Sequence, residues 1–157
     1  LVQFGGHKYA AGLTLRPEDY APFRAKFESL VGETLPETSK EAELQIDASL
    51  DFDQLDDRFL RLLQRISPFG PGNPEPNFLA QGVAVKEVSI LKKEHVRFQL
   101  EHSGVRMEGI GFFQAERWHA IDQLSLDIVF QPDFKHWNGR TYIQLKIKDF
   151  RASTSIR

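Results

Sequence analysis

Residues 5 to 12 read Gly-Gly-His-Lys-Tyr-Ala-Ala-Gly, a histidine bracketed by small residues. Two glycines let a backbone come close to an anion, and a helix opening near His7 would aim its free N–H groups and positive dipole end at that anion. The run therefore predicts a phosphate-binding turn built from Gly5, Gly6 and His7, with Ala10, Ala11 and Gly12 forming a short helical turn behind it. A plain glycine turn with a partly buried histidine would account for the first three residues alone; the Ala-Ala-Gly tail favours the anion.

Asp51, Asp53, Asp56 and Asp57 form an acidic cluster of the kind a magnesium or manganese ion takes, since such ions want convergent carboxylates. Capping explains them better. Asp53 with Asp56 three residues on suits a helix start, and the stripe Phe59, Leu60, Leu62, Leu63 and Ile66 supplies the helix. His95, His102, His119 and His136 are scattered and no cysteine joins them, so no metal site is assigned. No serine sits in a nucleophile elbow, and no histidine and aspartate are spaced for acyl transfer.

The second chemical concentration lies near the C-terminus. Lys135, His136, Trp137 and Arg140 crowd around Asn138-Gly139, and period two in the following strand sends Tyr142, Gln144, Lys146 and Lys148 to one face if Ile143, Leu145 and Ile147 fill the other. Arg97, with His95 beside it, adds to that face from an earlier strand. Cations for phosphates and rings for bases are what a single strand of nucleic acid needs, each stacked base contributing roughly 1–3 kcal/mol. The competing account is a solvated surface on which Trp137 covers the barrel end.

These residues need a scaffold. Pro17-Glu18-Asp19 opens a helix whose apolar face is Tyr20, Phe23, Phe27, Leu30 and Val31, with Gly32 placed to stop it. A polar loop is expected over 36–42 and a half-buried strand over Leu44 to Leu50. The capped helix ends at Ser67-Pro68-Phe69-Gly70-Pro71-Gly72-Asn73-Pro74-Glu75-Pro76, where prolines forbid helix or ladder to continue. Beyond it, strands are expected over 78–91, 95–102, 105–113, 126–134 and 140–150, with a short helix over 114–124; Ser103-Gly104 and Asn138-Gly139 supply hairpin turns. Three strands, a helix and two strands is the order of an OB-fold, a small barrel that binds oligonucleotides or oligosaccharides. The fold class expected is α+β, a partial α/β segment followed by a five-stranded barrel.

With 157 residues, 41% of them hydrophobic, the chain is long enough to bury a core. No apolar run reaches a membrane span and no leader opens the sequence, so a soluble domain is expected. Leu-Val-Gln-Phe runs straight into the glycine turn and reads as a strand cut from a longer protein. The absence of cysteine excludes a disulfide scaffold and fits a reducing cytoplasm. A net charge of −2 is not that of an avid nonspecific nucleic-acid binder. The average hides an asymmetry, however: residues 1–76 carry 8 basic and 13 acidic side chains and residues 77–157 carry 12 and 9, so a polyanion should prefer the second half.

The Gly-Gly-His run resembles an element of the DHH-associated domain in the DHH phosphoesterase superfamily. The stretch from Ile66 to Phe78 is similar to the signature leading into the barrel of the RecJ family of single-strand-specific exonucleases, and Trp137-Asn138-Gly139 with Gln144-Leu145 and Lys148-Asp149-Phe150 resembles the close of that barrel. The resemblance implies the tail of a DHH-associated domain over 1–50, a connecting helix and linker over 51–76, and an OB-fold over 77–157. It implies a parent that degrades single-stranded DNA from the 5′ end in repair and recombination, using manganese or magnesium held by a DHH domain whose motif does not occur here. Gly5, Gly6 and His7 would then hold substrate phosphate and the barrel would guide the strand, with no catalysis by this chain alone. The implied partners are single-stranded DNA, the DHH domain, and a single-strand-binding protein or a helicase. Two other readings stand beside it: a protein-interaction barrel, and part of a DHH relative acting on short oligonucleotides or cyclic dinucleotides.

Overall fold

The computed structural model describes residues 1–7, 10–34 and 43–154, Trp137 in its backbone alone. The expected loop over 36–42 lies outside the described residues. The chain divides into two compact units, Leu1–Leu44 and Gln45–Arg157.

In the first unit, β1 (Gln3–His7) pairs antiparallel with β2 (Ala10–Thr14), Gly5 opposite Gly12, Gly6 opposite Ala11 and His7 opposite Ala10. This corrects the expected helix start at His7 and the helical turn at Ala10 to Gly12. Gly6 is small for a different reason: a Cβ there would stand 2.7 Å from the Ala11 Cα. Pro17–Asp19 form a 3₁₀ turn that runs into α1 (Tyr20–Thr34), as the Pro-Glu-Asp start predicts. Gly32 does not stop α1. An interior glycine costs a helix only about 1 kcal/mol, and the Thr34 hydroxyl closes the last turn on the Leu30 carbonyl at 2.6 Å. Phe23 and Phe27 stack with centroids 5.8 Å apart, yet no described residue of β1, β2 or α1 is buried.

The second unit opens on β3 (Ala48–Ser49), two residues parallel to the next strand in place of the seven expected over 44–50. Before it the pairing is mixed: Asp47 N–H donates to the Asn77 carbonyl (2.9 Å), while side chains carry the rest, Asn77 N–H donating to Asp47 Oδ2 (2.8 Å) and Asn77 Nδ2 to the Gln45 carbonyl (3.0 Å). Asp56 caps α2 (Asp57–Arg65) by accepting from Phe59 N–H at 2.7 Å, which is the capping chemistry expected of the acidic cluster. The proline-glycine stretch is a built turn. Gly70 and Asn73 exchange backbone bonds of 2.9 and 3.0 Å, and Asn73 Nδ2 donates to the Ile66 and Pro68 carbonyls.

Five strands follow: β4 (Phe78–Leu91), β5 (His95–His102), β6 (Val105–Gly111), β7 (Ser125–Trp137) and β8 (Arg140–Ala152), with α3 (Ala115–Ile121) between β6 and β7. They pair in the order β4-β5-β6-β8-β7, and β7 closes on β4. Only β6 and β8 run parallel within the ring, so the fold is the expected OB barrel. Ser103-Gly104 and Asn138-Gly139 take positive φ at both positions, as tight hairpins require. The core is Val83, Val96, Phe98, Leu100, Leu126, Ile128, Phe130, Leu145, Ile147 and Phe150, and Phe52 joins it with no exposed surface. Residues 51–76, read from sequence as a connector, thus contribute Phe52, Leu55 and Leu60 to the barrel's own core.

Candidate nucleic-acid interface

Strand register sorts the side chains of the barrel's outer face into rows. One row runs Ser89, Arg97, Ile110, Lys146, Gln131. The next runs Glu87, Gln99, Glu108, Gln144, Asp133. Beyond it, Glu101 pairs with Arg106 and Tyr142 with Lys135. Period two therefore does place Arg97, Lys135, Tyr142 and Lys146 on one outer surface, over a core face that includes buried Leu145 and Ile147.

The acidic middle row changes what those cations can do. Lys135 Nζ lies 3.2 Å from Glu108 Oε1 and 5.6 Å from the Tyr142 ring centre, and Gln144 Nε2 donates to the same Glu108 oxygen. Burial alone would lower the Lys135 pKa; its hydrogen bonds to Glu108 and Tyr142 outweigh that and raise it. Lys146 Nζ is 2.7 Å from Asp133 Oδ2. Glu101 binds both Arg106 (2.8 Å) and Lys86 (3.0 Å), whose hydrogen bonds hold its carboxyl below the ordinary glutamate value. A phosphate arriving here would compete with carboxylates already in place.

The remaining sequence-derived residues lie around this surface. His136 Nδ1 shares a 2.8 Å hydrogen bond with Thr141 Oγ1 at the β7-β8 hairpin. Arg140 and Lys148 are exposed and make no ion pair among the described residues, and Arg97 touches Ser89 Oγ at 3.4 Å. The Trp137 backbone pairs with Arg140, while its side chain lies outside the described residues. Gly5, Gly6 and His7 are exposed on β1 of the other unit. The counter-ions Glu108, Asp133 and Glu101 went unnoticed in sequence; alternation in β6, β7 and β5 respectively would have found them. Phe112 and Phe113, 55% and 76% exposed, lie just past the end of β6 at Gly111, where the alternation predicts strand to Phe113.

No group of three or more His, Asp or Glu side chains placed to hold a metal occurs among the described residues. The acidic cluster is engaged otherwise: Asp51 Oδ1 meets His102 Nε2 at 2.9 Å and Asp56 caps α2. No described helix is long and apolar enough to cross a membrane.

Residues 46–149 match the family model described as the RecJ OB domain. The chain is 29% identical over 156 residues to the Bacillus subtilis protein named single-stranded-DNA-specific exonuclease RecJ, covering 98% of this chain and 20% of that one. It is 33% identical to the Thermus thermophilus protein of the same name, over 99% of this chain and 22% of that one. The crystal structure of Thermus thermophilus RecJ with Mg2+ superposes with a TM-score of 0.67 at 25% identity, covering 99% of this chain and 24% of that one. The chain thus spans between 20% and 26% of the length of the curated relatives it matches.

Proposed function

Because this chain belongs to the RecJ OB domain family, we propose that it is the single-stranded-DNA-binding C-terminal region of a 5′-to-3′ single-strand-specific exonuclease acting in DNA repair and recombination. The observation that carries this reading is the closed five-stranded barrel over the residues that match the family. In the proposal the barrel holds the incoming strand, and Gly5, Gly6 and His7, exposed on β1, receive substrate phosphate. Hydrolysis belongs to a DHH domain that is the chain's first partner. There the Mg2+ or Mn2+ named for the Thermus thermophilus structures would activate water and polarise phosphate. A single-strand-binding protein or a helicase is the further partner proposed, and the cytoplasm the compartment, in keeping with a chain free of cysteine.

The test has two arms. Incubated with labelled single-stranded DNA and manganese, the chain should bind without degrading it; metal-dependent degradation by the pure chain would place catalysis within it and refute the division of labour. Titrated at low and physiological salt, it should bind with a negative salt slope. A second reading, a barrel that contacts protein, is favoured by one observation: the outer face bearing Lys135 and Lys146 is neutralised by Glu108 and Asp133. Absence of any DNA affinity at low salt would select it.

A further inference from the structure

At the end of the barrel where β4 turns into β5 and β6 leaves for α3, three residues hold costly backbone conformations. Lys92 and Lys93 turn the β4-β5 hairpin with φ of 50° and 64°, closed by Glu94 N–H on the Leu91 carbonyl at 3.2 Å. At the barrel's other end the chain uses Ser-Gly and Asn-Gly for the same geometry, residues that adopt it cheaply. Phe113 has φ of 57°, an uncommon state for an aromatic residue.

The corner is firmly braced despite this. Phe113 N–H donates to His95 Nδ1 (3.0 Å), Ala115 N–H to the Glu94 carbonyl (3.1 Å), and Gln114 Nε2 to the Lys148 carbonyl (2.9 Å). Gly111 leaves room for that glutamine, since a Cβ there would meet Gln114 Oε1 at 2.6 Å. What the bracing displays is two phenyl rings. Phe112 and Phe113 stand 55% and 76% exposed, edge-on to the His95 ring at centroid distances of 5.4 and 4.6 Å. A cleft of about 210 Å3 opens beside Phe113, lined also by Lys93, Glu94, Ala115 and Glu116. Strained backbone that packs nothing away is retained where it presents a group for use.

We propose that Phe112 and Phe113, with His95 behind them, are a stacking platform for unpaired nucleobases, and that Lys92 and Lys93 take the adjoining phosphates. The inference rests on the single-stranded-DNA reading above and moves the strand's main grip from the β7-β8 hairpin to this corner. Charge supports the occupant. Lys92, Lys93, Lys148 and Arg97 make no ion pair among the described residues, whereas Lys135 and Lys146 are already matched by carboxylates. The cleft itself is lined by two carboxylates, Glu94 and Glu116, against one lysine, so the phosphates belong on the Lys92-Lys93 turn and not in the cleft. An open aromatic platform beside unmatched cations fits a sequence-tolerant single strand better than a neutral apolar partner.

Fluorescence anisotropy with labelled oligothymidylate decides the matter. The double variant Phe112→Ala/Phe113→Ala should bind about tenfold more weakly with its salt slope unchanged, because stacking is lost and phosphate contacts are kept. Lys92→Gln/Lys93→Gln should reduce the slope by about 1.4, the value for two phosphates of a single strand. Leu124→Ala, which trims another highly exposed apolar residue, should change neither. If the unaltered chain binds and the phenylalanine variant stays within about twofold of it, the platform is wrong while the DNA-binding reading survives. If the unaltered chain does not bind, both fall. Should the variant misfold, photocrosslinking of 5-iodouracil DNA to the unaltered chain replaces it: adducts at 112–113 support the platform, and adducts confined to 135–148 overturn it.

Discussion

At the scale of single residues, Phe113 and Asp127 are opposites. Phe113 keeps a left-handed backbone that a glycine would adopt freely, so Phe113→Gly should raise stability by roughly 0.5–1 kcal/mol, read from the urea midpoint, while weakening DNA binding. A stability gain coupled to a binding loss is what strain kept for function produces; loss of both would make the ring structural. Asp127 is buried, accepts from Gly82 N–H (3.1 Å) at a bulge in β4, and meets Arg151 at 3.2 Å. Burial works to raise its pKa, but hydrogen bonds from Ser153, Gly82 and Arg151 prevail and lower it. A carboxyl depressed in the folded state stabilises fully above its unfolded value of about 3.9, and that contribution disappears as pH falls through the folded value. Asp127→Ala should therefore cost about 2 kcal/mol at pH 7, where it orphans the Gly82 N–H, and the gap from the unaltered chain should narrow in urea titrations below pH 4. A gap that is the same at both pH values would mean the carboxylate's charge is idle.

At the scale of elements, period two decided most of what could be read. Strands β4, β5 and β8 fell where alternation put them, because each has one face on a dry core and a one-residue slip would expose it. Local pattern misled where a tertiary contact decided the outcome. The Gly-Gly-His run takes strand form because Ala11 sits opposite Gly6, and Gln45 to Asp47 leave the regular ladder because Asn77 and the Asp47 carboxylate bond there through side chains. The candidate face was legible residue by residue but its charge was not, since Glu108 and Asp133 reach Lys135 and Lys146 across strands rather than along the chain. That masking is itself testable. Glu108→Gln should release Lys135 for phosphate, tightening DNA binding a few-fold and steepening the salt slope by about 0.7, in a titration at several salt concentrations. An unchanged slope would show that DNA never reaches this row, as expected if the corner at Phe113 is the whole of the grip.

At the scale of the molecule, the two units differ in what holds them. Gln45–Arg157 has a continuous core in which Phe52, from the segment preceding the barrel, meets Phe130 edge-on at 6.1 Å. Phe52→Ala should cost about 3–5 kcal/mol, a large share of such a domain's stability. Leu1–Leu44 buries no described residue in β1, β2 or α1, and leaves Phe4 78%, Tyr20 57% and Phe27 56% exposed. In these three elements so little apolar surface leaves water that its burial does not offset the entropy of their ordering. A chain trimmed to residues 45–157 should therefore unfold in one cooperative transition at nearly the same temperature as the full chain, while binding oligothymidylate more weakly by the phosphate contact proposed for Gly5, Gly6 and His7. Within the full chain, β1, β2 and α1 should show little protection in amide exchange. The outcome against this is a trimmed chain that melts much lower, because β1, β2 and α1 would then be stabilising the barrel. Equal melting with unchanged affinity would instead remove the first unit from the DNA grip, and with it the phosphate contact proposed for Gly5, Gly6 and His7.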